Sequence, residues 1–357
     1  MLLIDNDTAS QVLNMADCIT ALEDAYKEEA VGSAANRTKS QLHVHTSDAD
    51  KWYRFSSAEG GLAGAGVVAI RIKSDVLCWP TLYGQVRSYN YCMEPDRFCG
   101  LILLFRTENG EPLAILNDGV IQHLRVGATA AIAAKRMARE DASVLGILGS
   151  GGMAESHLRA YAEVRPLRLA KIYSPNREHR EELAKRMSRE FSFEIVAVEG
   201  PEIAVQKSDI VASCTDTGEA VLFGEWLDHG MHVTTVNHRE ADKKVYRRLN
   251  RYVSYQSGHA INLFTTSEEH RPRTLGGAGP DHDRLVTSSA NTKRFRFTDL
   301  LLGKAPGRES PAEINLFKSE GTGVQFAALG RLAHLRCQEK KLGQDLPLEW
   351  FIQKIRN

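Results

Sequence analysis

Val12, Met15, Ile19, Leu22 and Tyr26 recur at steps of three and four, a spacing that predicts an amphipathic helix over 11–30, ended by the polar run 36–39. Strand-like runs follow at 41–46, 66–73 and 101–106. Asn109-Gly110 then supplies the turn of a hairpin into a further strand at 113–117. This first part reads as a largely antiparallel sheet. A long helical pattern over 120–137 leads into a different regime, in which short apolar strands at 143–148, 167–174, 195–198, 210–214, 231–236 and 252–255 alternate with helical stretches such as 155–164. That alternation is the mark of a doubly wound parallel α/β sheet. Residues 257–308 are irregular, with a short helix at 298–302. Beyond them 311–317 enters the turn Gly321-Thr-Gly323 and a helix over 324–340, which is expected to return onto the first part. The boundaries that follow are a Rossmann-type domain at 120–305 and a second, α+β domain built from 1–119 and 306–357.

A chain of 357 residues exceeds what one core comfortably fills, in keeping with two domains. Forty-five basic residues balance 45 acidic ones, so no net field draws nucleic acid or an acidic membrane, and the basic runs 271–273 and 293–296 read as solvated loop charge. The six cysteines form no C-x-x-C pair, which points to reduced thiols. With no basic-then-apolar leader and no apolar window of membrane length, a cytoplasmic protein is expected. His259, His270 and His282 lie in the irregular part without an i, i+4 pair, and no metal site is expected from them.

The most informative segment is the junction where the strand 143–148 stops at Gly149-Ser-Gly151-Gly152-Met153-Ala154 and restarts as a helix. In this Gly-x-Gly-x-x-Ala turn Gly149 permits the tight bend, Gly151 lets backbone approach a pyrophosphate, and Ala154 keeps the helix close to its strand. At the end of the next strand, where NAD sites usually carry an acid for the ribose hydroxyls, stand Ser174, Pro175, Asn176 and Arg177. With no carboxylate to repel a 2′-phosphate and Arg177 able to pair with one, NADP(H) is the preferred cofactor and NAD(H) the alternative. An ordinary glycine turn and a solvated arginine at a helix start are the structural readings of the same residues. Further contacts are expected at strand ends, from Ser213, Cys214 and Thr215 and from Val236 and Asn237. Cys214 itself reads as a packed small residue, not a nucleophile.

Several separated motifs together resemble the ornithine cyclodeaminase and mu-crystallin family. They are Leu113-Ala-Ile-Leu-Asn-Asp-Gly with Leu124-Arg-Val-Gly-Ala-Thr-Ala-Ala, the turn at 149–154, Gly230-Met-His-Val, and Gly307-Arg-Glu-Ser-Pro-Ala-Glu-Ile-Asn-Leu-Phe-Lys-Ser-Glu-Gly321. The resemblance implies a nicotinamide dinucleotide on the Rossmann domain, a substrate and dimerisation domain from the terminal segments, a homodimer, and chemistry on a small amino or imino acid. It places Arg125 on the substrate carboxylate, a task a planar guanidinium suits, with Arg37 the nearest match to a second family arginine. The family's strand lysine falls on Arg71 or Lys73, which share a face. The distinction matters because a lysine of lowered pKa can pass a proton and an arginine can only bind. Arg239 stands by spacing where cyclodeaminases carry an aspartate, and an arginine cannot accept a proton at neutral pH. His238, Glu240 and Asp242 are the nearby candidates for proton transfer. The implied function is an NAD(P)H-dependent imine reductase or amino-acid dehydrogenase. The alternatives are a cyclodeaminase using catalytic NAD and a dinucleotide-binding protein with little catalysis.

Overall fold

The computed structural model describes residues 1–82, 85–86, 89–237, 239–255, 260–265 and 292–355; His238, His259, His270, His282 and the basic run 271–273 lie outside them. Two sheets organise the chain, and the first has ten strands. It runs in the order β17, β3, β4, β5, β9, β10, β1, β20, with β2 on β4 and β8 on β5. Its members are β1 (Leu2–Ile4), β2 (Ala34–Asn36), β3 (Ser40–His45), β4 (Trp52–Leu62), β5 (Val67–Cys78), β8 (Tyr89–Tyr91), β9 (Cys99–Arg106), β10 (Pro112–Asn117), β17 (Ile261–Phe264) and β20 (Gln344–Asp345), while β6 (Thr81–Leu82) and β7 (Gln85–Val86) pair separately. The hairpin β9–β10 turns through Gly110 at φ 76°.

The N-terminal amphipathic stretch is two helices, α1 (Asn6–Val12) and α2 (Met15–Ala30), because the Asn14 side chain accepts from Asp17 N and caps a fresh start. The long central strand β4 was not anticipated. Its inward positions Trp52, Ser56, Ala58, Gly60 and Leu62 do alternate, but Ser and Gly among them blur the apolar signal. Gly60 is needed for packing: a Cβ there would lie 2.1 Å from Val324 N, where α9 (Gly323–Lys340) begins directly on the strand backbone.

The second sheet is wholly parallel, in the order β13, β12, β11, β14, β15, β19, β16, β18. Its strands are β11 (Val144–Leu148), β12 (Leu169–Tyr173), β13 (Glu194–Ala197), β14 (Ile210–Ser213), β15 (His232–Thr235), β16 (Arg251–Ser254), β18 (Lys293–Arg296) and β19 (Asn315–Lys318). Chain order reverses between β11 and β14, the switch point at which open α/β sheets take ligands. Helices α3 (Gly119–Met137), α4 (Gly152–Val164), α5 (Arg177–Met187), α6 (Pro201–Val205) and α7 (Lys243–Arg248) pack around this sheet, and α8 (Phe297–Leu301) against α2. Ala128 and Ala130–Ala134 are fully buried, which lets α3 lie close to both α2 and α4.

Two expectations are corrected. A division at 305/306 does not follow the sheets: β19 lies beyond it yet sits between β15 and β16, since Asn315-Leu-Phe-Lys is a buried strand, and β17 lies before it yet pairs with β3. The irregular stretch 257–308 also contains strands, and the basic run 293–296 is β18, paired with β16.

Candidate active site

At the switch point β11 ends in a turn whose backbone leaves no room for a side chain. Gly149 has φ 122°, and a Cβ on it would fall 2.4 Å from the Cys214 carbonyl oxygen at the end of β14. Gly151 caps α4, and nothing lies within 4 Å of where its Cβ would be, so the turn is open on that side. Ala154 is fully buried between helix and strand, and Met153 is half-buried. These are the features a diphosphate cradle requires. The exposed imidazole of His123 covers Gly152 from α3, its Cε1 2.7 Å from that glycine's would-be Cβ.

Beyond β12, Ser174 is buried, accepts from Ser150 Oγ at 2.8 Å and donates to Asn176 O at 3.1 Å. Asn176 caps α5 by accepting from His179 N. Arg177 stands exposed on the first turn of α5, its Nε 2.6 Å from Glu181 Oε1. The charge held against this strand end is Arg180, which sequence reasoning missed: it is buried, donates to Ser174 O at 2.9 Å, pairs with Glu199 and lies over the Tyr173 ring.

The loops after β14 and β15 are joined by one carboxylate. Glu240 is fully buried; Oε1 accepts from Thr215 N and Oγ1, and Oε2 from Val236 N at 2.9 Å and Asn237 N at 2.8 Å. Burial pushes its pKa up against those hydrogen bonds. Asp242 caps α7 by accepting from Val245 N and also accepts from Gly224 N. Both acids named as proton-transfer candidates are therefore bound to backbone amides. Arg239 is half-buried with its N–H on Asn237 Oδ1. Ser213 and Cys214 are buried beside the glycine turn, and desolvation raises the Cys214 thiol well above its ordinary pKa, which is not the setting of a nucleophile.

Across the cleft, the inner face of the ten-stranded sheet changes character along its strands. On β5 it runs Val67, Ala69, Arg71, Lys73, Asp75, from buried apolar to charged. Register places Ala58, Ser56 and Arg54 of β4 opposite Arg71, Lys73 and Asp75. Asp75 is buried and holds both Arg54 Nη2 (2.7 Å) and Lys73 Nζ (3.0 Å). Asp118, at the start of α3, leaves that helix uncapped and accepts from Arg71 Nε at 2.7 Å. Arg125, two residues after His123, is buried with Nη1 3.2 Å from Gln325 Oε1, and its guanidinium and that of Arg71 lie 5.6 and 5.2 Å from the centroid of the Phe326 ring. Burial, with Arg71 next in weight, lowers the Arg125 pKa to about 10. Burial likewise lowers Lys73, against the pull of Asp75. Gln325 is itself fixed by Tyr26 and the Thr322 backbone.

Arg71, Lys73 and Arg125 are thus brought together, while Arg37 is exposed and its side chain makes no hydrogen bond or ion pair with a described residue. Arg54, Asp75 and Asp118 belong to this face and were not anticipated; nor was Lys39, in the link before β3, on which the charges of Arg54, Arg71, Lys73 and Arg125 act. Recognition of β4 as the partner of β5 would have exposed Arg54. Helix α3 links the two halves of the cleft, His123 to the glycine turn and Arg125 to the charged face.

Among known proteins, the chain matches the ornithine cyclodeaminase/mu-crystallin family over residues 93–341. It is 30% identical to an uncharacterized cyclodeaminase of Sinorhizobium fredii over 68% of this chain and 72% of that one. It is 26% identical to a delta(1)-pyrroline-2-carboxylate reductase of Bacillus cereus, covering 69% and 74%. The solved delta(1)-pyrroline-2-carboxylate reductase of Thermococcus litoralis, in complex with NADH and L-proline, superposes with a TM-score of 0.75 at 25% identity, covering 97% of this chain and 100% of that one.

Proposed function

The chain belongs to the ornithine cyclodeaminase/mu-crystallin family, and we propose that it is a nicotinamide-dependent oxidoreductase interconverting a small α-imino acid and the corresponding α-amino acid. The observation that carries this reading is that α3 joins a glycine turn at a parallel-sheet switch point, through His123, to a cluster of cations, through Arg125. A bound dihydronicotinamide supplies hydride to the carbon of a C=N bond. The reductases among the relatives, one of them with NADH and L-proline, support the same chemistry.

In this reading Gly149, Gly151, Gly152, Met153 and Ala154 hold the diphosphate. Ser174, Asn176 and Arg177 meet the adenosine ribose, with NADP(H) preferred through Arg177 and NAD(H) also accepted. Ser213, Cys214, Thr215, Val236 and Asn237 border the rest of the dinucleotide. Arg125 takes the substrate carboxylate in a forked pair of hydrogen bonds and so fixes which carbon is presented. Arg71 and Lys73 add positive potential beside it, and Arg239 lies on the loop where a cyclodeaminase would need an acid. With Glu240 and Asp242 held by backbone amides, no described acid on that loop is free to accept a proton, and ornithine cyclodeamination is disfavoured. The ten-stranded sheet with α9 would form the substrate and dimerisation domain, the parallel sheet the coenzyme domain.

The test is oxidation of NADPH and NADH with Δ1-pyrroline-2-carboxylate, other ketimines, and keto acids plus ammonia. Coenzyme consumption above background is expected with at least one imine. Uptake of coenzyme without turnover of any member of the panel would overturn the assignment in favour of a binding protein.

A further inference from the structure

We propose that Lys39 is the acid that delivers the proton to the substrate's imine nitrogen, and the base that removes it when the amino acid is oxidised. This deepens the oxidoreductase reading and rests on it. Lys39 directly precedes β3, and its carbonyl accepts from Ile261 N, so the strand pairing continues through it. β2 ends at Asn36↔Gly60 and β3 begins at Ser40↔Ser57, one residue out of step, so Lys39 falls in the link that passes Ala58 and Glu59 of β4, and the β5 partner of Ala58 is Arg71. There it lies within reach of the charges of Arg54, Arg71, Lys73 and Arg125.

Those four cations are committed. Arg54 and Lys73 share Asp75, Arg71 is held by Asp118, and Arg125 by Gln122 and Gln325. The three arginines bind but do not donate protons at neutral pH. Lys73 would have to break its ion pair with Asp75 to give one up. Lys39 makes no hydrogen bond or ion pair with a described residue. It stays open to solvent while protein surrounds it on most sides, as a group inside a cleft does.

Its electrostatic setting fits the task. The charges that act on it are those of Arg54 on β4, Arg71 and Lys73 on β5, and Arg125 on α3; Asp75 and Asp118 hold Arg54, Lys73 and Arg71. Desolvation first, and then the repulsion of Arg54, Arg71, Lys73 and Arg125, bring the Lys39 ammonium down to about 8. Such a group is charged at neutral pH yet releases its proton readily. As the imine carbon takes up hydride, the C=N π pair moves onto nitrogen and forms a new N–H bond with the Lys39 proton. Lys39 is left as a neutral amine and regains a proton from water.

Two measurements on the full chain test this. Acetylation of Lys39 across pH, followed by mass spectrometry, should reach half its limiting rate near pH 8, and a midpoint above pH 10, that of an ordinary lysine, overturns the proposal. In Lys39→Arg, coenzyme binding should persist while kcat falls by about 10²–10⁴-fold and the alkaline limb near pH 8 disappears from kcat/KM. Retention of that limb with kcat within a few fold of the parent overturns the proposal alone. A parent protein that turns over no imine defeats the functional reading and takes this one with it.

Discussion

The two sheets build their sides of one cleft by opposite means. The parallel sheet offers backbone: a turn of small residues open on one side, and strand ends tied by the buried carboxylate of Glu240. The ten-stranded sheet, with α3, offers side-chain charge: five cations, of which Asp75 holds Arg54 and Lys73 and Asp118 holds Arg71. A coenzyme's diphosphate is the same whatever the substrate, so a rigid backbone cradle serves it. A substrate carboxylate and a mobile proton need groups whose charge and position can be set residue by residue. The backbone side is therefore intolerant of added atoms, and the charged side of changed geometry.

The largest effect follows from adding atoms to the backbone side. Gly149→Val places a β-branched side chain at φ 122° against the Cys214 carbonyl, a conformation that costs on the order of 1–3 kcal/mol before any clash is counted. Calorimetric titration should then detect no uptake of NADPH or NADH, while activity-independent folding probes show a lowered melting temperature. Unimpaired uptake would mean that the turn at 149–154 is not the coenzyme cradle.

On the charged side, Arg125→Lys keeps the charge and loses the planar fork. Hydrogen bonds to charged groups contribute about 1.5–3 kcal/mol each, so loss of one of a bidentate pair should lower kcat/KM roughly 10- to 100-fold with coenzyme affinity unchanged. Equal loss of coenzyme affinity would show that α3 serves the glycine turn, through His123, more than it serves the substrate.

The same contrast governs what was legible in the sequence. The glycine turn could be read because its demands are local: φ at Gly149, the open side of Gly151 and the buried Ala154 depend on a strand and a helix adjacent in the chain. The strand alternation that follows was equally readable, and the parallel sheet has the anticipated form. The charged face depends on register between strands distant in sequence. Arg54 meets Asp75 only because β4 pairs with β5 from Trp52↔Leu77 to Leu62↔Val67, and β4 was hidden by its inward Ser56 and Gly60. Lys39 joins them one strand further away, and Asp118 is withdrawn from capping α3 to hold Arg71. Arg71 and Lys73 were recognised through family resemblance; their counterions, which decide what each can do, needed the fold.

Acid should act on both halves through buried histidines. His157 on α4 and His232 on β15 are fully buried in the parallel-sheet half, and burial lowers their pKa values to about 4 and about 3. Each unit of displacement is worth up to about 1.4 kcal/mol. Because the folded pKa lies below the unfolded value of 6.5, the unfolded chain binds the proton more tightly. This stability is fully present above about pH 6.5 and is lost as pH falls toward 4. The melting temperature should drop across that window, and His334, buried on α9 where it packs on β4 and β5 and likewise lowered to about 4, carries the same dependence into the other half. A flat melting temperature between pH 6.5 and 4 would contradict this.

The smallest predicted effect concerns the one side-chain charge asked to act on the coenzyme side. Arg177 is 71% exposed and paired with Glu181 one helical turn away, an arrangement that surface ion pairs make weak and easily exchanged. A 2′-phosphate offers a better partner, with several charge-assisted acceptor oxygens and the amides of the α5 N-terminus beside it. Arg177→Ala should therefore lower NADPH affinity roughly tenfold and leave NADH affinity nearly unchanged, read by titrating both coenzymes into both proteins. An equal change for the two would return Arg177 to a helix-surface role. Buried Arg180, already committed to Ser174 and Glu199, would then be the only cation fixed at this strand end among the described residues, and it could favour NADP(H) only by giving up Glu199.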